Sequence, residues 1–190
     1  MLMRIKGRSG LVALFLPFAA LMVAAAACGT DSGTDGVAAG AQKIRSTDTI
    51  YSADNLLAAG FKQSKDYDVA GLEGATAAIY GFFGPDPYNR KEYEARFYAS
   101  QEDAVNLGVS FADEATGPEA VVAESQQRWK VGLTERRECQ GNVAGSHHSG
   151  KCDAAKYGDY MIAGNMILLC QGKDAETARA NCNALLTQLQ

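Results

Sequence analysis

Histidine is nearly missing from this chain: of 190 residues only His147 and His148 are histidine, side by side in SHHSG. No H-E-x-x-H pair exists, and no third ligand stands at a recognisable spacing from the two. Neighbours in a strand or turn point different ways, so His147 and His148 are weak metal or general-base candidates, and a solvated polar loop is expected. C-x-x-C is absent, which removes the usual zinc-knuckle spacing. G-x-G-x-x-G, the full P-loop pattern and the G-x-S-x-G nucleophile elbow are absent too. No cofactor is expected. A basic excess is also lacking, with 18 Lys+Arg against 22 Asp+Glu. That balance argues against nucleic acid as a partner. Finally, no apolar run reaches the roughly 20 residues of a membrane-spanning helix; residues 11 to 27 come nearest, and alanine makes their second half weakly apolar.

What is present begins with MLMRIKGRSG, which carries Arg4, Lys6 and Arg8 and no acid. The uncharged run LVALFLPFAALMVAAAA follows, and then Cys28 opens a Gly/Ser/Asp stretch. A positive head, an apolar middle and small residues before a break describe an export signal. Ala26, Ala27 and Cys28 resemble the lipobox of bacterial lipoproteins, although Ala25 stands where that family usually has leucine. The resemblance implies a diacylglycerol thioether on Cys28, which becomes the first residue after cleavage. Acyl chains contribute about 0.8 kcal/mol per buried methylene, so the expected product is membrane-held through lipid on the extracytoplasmic face of the cell envelope. The rival readings are a general secretion signal with Cys28 as an incidental thiol, and an uncleaved anchor helix.

The domain plan follows: signal peptide 1–27, lipidated cysteine and flexible tether 28–48, and one domain 49–190. GTDSGTDGVAAGAQKIRSTD has almost no large apolar side chains, as a tether should. Removing Arg4, Lys6 and Arg8 from the 18 Lys+Arg leaves 15 against 22 Asp+Glu, a formal charge of −7 in place of −4. That balance also argues against electrostatic adhesion to anionic lipid, so membrane contact is expected through the anchor. Cys139, Cys152, Cys170 and Cys182 remain, an even set that reads as two disulfides in an exported chain, with three connectivities open.

Within the domain, YSADNLLAAGF predicts a short helix with Ser52 or Asp54 as cap, Leu56 and Leu57 as anchors and Gly60 at its end. KQSKDYDVAGLEGA predicts irregular, turn-rich chain, and TAAIYGFFG a buried strand. In EYEARFYAS, Tyr93, Ala95, Phe97 and Ala99 alternate with Glu94, Arg96 and Tyr98, the period of a half-buried strand. Residues 100–115 switch to helical spacing, with Ser100 and Asp103 as a variant capping box. KYGDYMIAGNMILLCQ predicts two strands about a Gly164-Asn165 turn, and DAETARANCNALLTQL a helix with Ala178, Cys182 and Leu185 on one face. Between the halves, residues 116–138 read as an insertion in which Ala120 to Val131 could be helical with Trp129 on its apolar side.

The expected fold is α+β: an antiparallel four-stranded sheet, helices packed on one face, built as a pseudo-repeated strand-strand-helix. If the last strand runs to about residue 173, Cys170 lies about 10 Å from the turn at 3.3 Å per residue. Cys182 lies about 12 Å away along the helix at 1.5 Å per residue. This geometry favours Cys170–Cys182, leaving Cys139–Cys152 to close the loop between them.

Two surface readings remain. Tyr80, Phe82, Phe83, Tyr88 and Tyr93, with Trp129 nearby in the insertion, offer an aromatic patch able to hold a glycan, peptide or envelope protein. The plainer alternative puts them inside, with helices over one sheet face and the insertion with Trp129 over the other. The expected function is a lipid-anchored binding or interaction module. Its rivals are an envelope hydrolase using an acidic residue or His147/His148, and a scaffold subunit of an envelope complex.

Overall fold

The two hairpins expected from the sequence form the centre of the sheet. The computed structural model describes residues 42–140 and 151–189. Strands β3 (Ala77–Phe83) and β4 (Lys91–Phe97) pair antiparallel, as do β7 (Tyr157–Ala163) and β8 (Met166–Gln171). β4 and β8 then join the hairpins, again antiparallel. The sheet has six strands rather than four, because β2 (Lys62–Tyr67) adds an antiparallel edge beside β3 and β1 (Ile44–Arg45) a parallel one beside β7. The order is β1-β7-β8-β4-β3-β2, a mixed sheet.

Both additions were hidden by composition. KQSKDY is charged along its length and buries only Tyr67, which suits an edge that must not recruit another chain. Ile44 and Arg45 lie in the stretch read as tether. The backbone N–H of Ile162 bonds the Lys43 carbonyl at 2.8 Å, and Arg45 Nη1 donates to the Leu186 carbonyl at 3.2 Å. The Lys43 ammonium stands 3.0 Å from Asp159 and 3.8 Å above the Tyr160 ring. The sheet therefore reaches back before residue 49.

Helices cover both faces of the sheet, not one. Helix α1 (Ala53–Ala58) contributes Leu56 to the core shared with Ile79, Phe97 and Leu168, whereas Leu57 is exposed. On the opposite face, α2 (Gln101–Asp103) continues through a π-helical turn, Ala104–Gly108, into α3 (Val109–Ala115). The Ser100 hydroxyl oxygen accepts the Asp103 N–H at 3.0 Å, as the capping pattern required. Ala104, Ala112 and Ala115 pack there against Ile162, Ile167 and Leu169. Helix α5 (Ala175–Leu186) returns to the first face and buries Ala178, Cys182, Leu185 and Leu186. No helix among the described residues is long and apolar enough to cross a membrane.

The expected helix over Ala120 to Val131 is instead irregular chain with one 3-10 turn, Glu124–Gln126. Side chains take the carbonyls that a helix would have paired: Arg137 Nε donates to Val122 O at 2.7 Å, and the Gln127 amide donates to Val121 O. A short helix α4 (Leu133–Arg136) leads into a separate two-stranded sheet of β5 (Arg137–Gln140) and β6 (Lys151–Ala155). Both disulfides take the favoured pairing, Cys139–Cys152 and Cys170–Cys182.

The Gly164-Asn165 turn does more than reverse the chain. Asn165 is buried, its amide donates to the carbonyls of Tyr51 at 3.1 Å and Tyr98 at 2.8 Å, and its carbonyl oxygen accepts the Tyr51 N–H at 2.6 Å. One side chain thus ties the start of α1 to the exit of β4. Asn165→Ala is expected to lower stability by on the order of 2 kcal/mol, since it orphans buried backbone groups. Urea unfolding followed by circular dichroism reads the shift.

Candidate functional site

Most of the aromatic patch lies inside, as the plainer alternative had it. Tyr93, Tyr80 and Trp129 are 1%, 6% and 3% exposed, and Phe82 and Phe83 are half-buried. Tyr80, Phe82 and Trp129 join Tyr67 and Phe111 in a cluster beneath the insertion, while Phe83 and Tyr93 face the α5 side. Only Tyr88 is fully out, 97% exposed at the tip of the β3–β4 loop. There the Asp86 carboxylate accepts the Tyr88 N–H at 2.9 Å and shapes the turn. Burial raises the Tyr93 phenol above its usual range, and raises Tyr80 likewise, helped by its hydrogen bond to Glu92.

Beneath the insertion lies a feature the alternating pattern of β4 concealed. Glu94 and Arg96 sit on the sheet face that should have met solvent, yet both are 0% exposed. Arg96 Nε donates to Glu94 Oε1 at 2.7 Å, and Arg136 Nε donates to Glu94 Oε2 at 2.9 Å. Arg136 also donates from Nη1 to the Trp129 carbonyl at 3.0 Å and from Nη2 to the Val131 carbonyl. The guanidinium carbons of Arg136 and Arg96 lie 4.3 and 5.1 Å from the Trp129 ring centre. Two cations thus share one carboxylate under an indole lid. Burial pulls Arg96 below the usual guanidinium range, Glu94 opposes this, and Arg136 adds to it. Arginine still remains charged. The arrangement clamps the insertion to the sheet. It is closed to solvent, so its chemistry is structural.

Open space lies instead at the root of the β5–β6 arm. Two clefts, of about 460 and 630 Å³, flank the point where Ala154 and Ala155 cross the β8–α5 turn at Gly172 and Lys173. Ligand sites commonly measure roughly 300–1,000 Å³. The smaller cleft carries Lys91, Lys156 and Lys173 beside Glu138, Gln171 and Asn181. Several of these are held in place. Lys156 Nζ donates to Glu92 Oε2 at 2.5 Å, Gln171 Oε1 accepts the Glu92 N–H at 3.0 Å, and the Asn181 amide donates to the Gln171 carbonyl at 2.7 Å. The larger cleft is walled by Gly117, Pro118, Asp153, Gly158 and Asp174. Gly158 and Gly172 let the turn close: a Cβ on Gly172 would stand 2.5 Å from the Ala178 nitrogen. Asp174 caps α5, and the Thr177 N–H and hydroxyl hold its carboxyl below the usual carboxylate range. This cleft pair escaped the sequence because its walls come from five separated segments.

Two acidic side chains meet cations at the β1 edge of the sheet. Asp113 and Asp159 converge on Lys43, and Arg179 stands 3.6 Å from Asp159. His147 and His148 lie outside the described residues, as does Cys28. Among the described residues no group of three or more His, Cys, Asp or Glu is placed to hold a metal. Cys139 and Cys152 are exposed, whereas Cys170 and Cys182 are fully buried.

No curated protein and no solved structure matches the chain. One family model does, over residues 52–190, which takes in α1, strands β2 to β8 and α5. The chain belongs to that family, described as a Family of unknown function (DUF6810).

Proposed function

We propose that the chain is an extracytoplasmic binding or interaction module, exported by its first 27 residues and held in the membrane by acyl chains on Cys28. The observation that carries the reading is the pairing of all four cysteines of the domain, one pair exposed on the surface. Exposed cystines persist in oxidising compartments and are rare in the cytosol. Cys28 is the one cysteine left over, at the edge of an apolar run. Metabolic labelling with a fatty acid should mark the wild-type chain and not Cys28→Ser. Label missing from the wild type, or retained by the variant, would refute the anchor.

Binding is favoured over hydrolysis by the two clefts at the arm root and by the ion pairing of Asp113 and Asp159. The partner class is an envelope protein, peptide or glycan. Tyr88 is the aromatic free to meet it. Tyr88→Ser is expected to change stability by less than about 0.5 kcal/mol, as for ordinary surface substitutions. If the hairpin tip serves a scaffold role, the same variant should abolish a co-purifying protein in crosslinked pulldowns from membranes. An unchanged pulldown profile argues for the clefts instead.

A further inference from the structure

We infer that Cys139–Cys152 is a thiol–disulfide exchange site, attacked by an extracytoplasmic dithiol protein, and that its reduction loosens the wall shared by the two arm-root clefts. The inference rests on the exported, oxidised state proposed above. Three observations carry it. Both sulfur-bearing residues of this pair are exposed, while Cys170 and Cys182 are fully buried in the core. Exchange requires a thiolate to reach a disulfide sulfur, so the first pair is open to a protein nucleophile and the second is closed. The β5–β6 sheet takes no third strand among the described residues, and an isolated two-stranded sheet is marginally stable in water. The cross-link is then the covalent restraint on a sheet otherwise held by the Arg137↔Ala155, Glu138↔Ala154 and Gln140↔Lys151 pairing and, at its root, by the Arg137 bond to the Val122 carbonyl. Lastly, Ala154 and Ala155 of β6 belong to both clefts, so fraying of the arm changes both at once.

The step is balanced. A partner thiolate attacks one of the two sulfurs, forms a mixed disulfide and expels the other as a thiolate. The partner's second thiolate then resolves the mixed disulfide. Two electrons pass from the partner dithiol, which becomes a disulfide, and Cys139 and Cys152 become thiols after taking two protons. The main sheet is untouched, because Cys170–Cys182 and the β7–β8 hairpin lie outside the arm.

The test uses the full chain extracted from membranes. Limiting dithiothreitol followed by alkylation and peptide mass mapping should label Cys139 and Cys152 at least about tenfold faster than Cys170 and Cys182, the order that thiol access dictates. Amide hydrogen exchange should rise at 137–139 and 152–155 and stay unchanged over 157–171. A reduced C-x-x-C protein whose second cysteine is replaced by serine should be trapped as a mixed disulfide on Cys139 or Cys152. Equal labelling of both pairs, exchange rising together in arm and core, or adducts confined to Cys170 or Cys182 would each overturn the inference. Intact mass of the same sample reports acylation and cystine content separately, so a failed anchor and a failed exchange site give different results.

Discussion

Glu94→Gln is expected to cost about 3–5 kcal/mol, the usual result of removing one partner from a buried ion pair. The native cluster places Arg96 and Arg136 on the two oxygens of one carboxylate, with all three side chains at 3% exposure or less. Glutamine fills the same volume and removes the negative charge, so two guanidinium ions would face each other in a site closed to water. Against a total stability of roughly 5–15 kcal/mol for an ordinary domain, that loss threatens folding at physiological temperature. A companion variant, Glu94→Leu with Arg96→Met and Arg136→Leu, separates charge from shape. Apolar replacement of a whole buried ion group is often neutral or stabilising by about 1–4 kcal/mol, so the triple variant should unfold at higher denaturant than Glu94→Gln. If Glu94→Gln unfolds within about 1 kcal/mol of the wild type, the carboxylate is not what compensates the two arginines.

The second large effect separates the two disulfides. Their sequence separations are nearly equal, 13 residues for Cys139–Cys152 and 12 for Cys170–Cys182. Loop-closure entropy alone would therefore assign each about 3 kcal/mol. Context makes them unequal. Cys170 and Cys182 join β8 to α5 inside the core with Leu168, Ala178 and Leu185. Replacing both with alanine should cost about 2–4 kcal/mol in global unfolding. Without its cross-link the β5–β6 arm gains freedom in the folded protein too, which offsets the entropy regained by the unfolded chain. Cys139→Ser with Cys152→Ser should then cost less than about 1 kcal/mol by the same measurement. Equal losses would mean that the arm unfolds together with the main sheet.

The centre of the fold was legible because its residues obey simple periods. TAAIYGFFG, the Gly164-Asn165 turn and the Ala178, Cys182, Leu185 stripe all became the elements they predicted. The favoured cystine pairing followed from rise per residue alone. The edges were not legible, since β2 is polar for the reason that keeps edges soluble and β1 takes its pairing from the side of β7. Residues of β4 show a deeper limit. Glu94 and Arg96 read as solvent-facing because alternation reports polarity, and polarity reports exposure only where no partner is available. Arg136, 42 residues later, supplies that partner, and nothing local to β4 announces it. The arm-root clefts failed to show for a related reason: Lys91, Glu138, Lys156 and Lys173 meet only in three dimensions.

Export, acylation and oxidation are each read in one determination, the intact mass of the protein purified from membranes. The expected mass is that of a chain beginning at Cys28, increased by a lipid and lowered by the four hydrogens lost to the Cys139–Cys152 and Cys170–Cys182 cystines. A mass matching the unprocessed chain from Met1, without lipid and with every thiol reduced, would contradict the account.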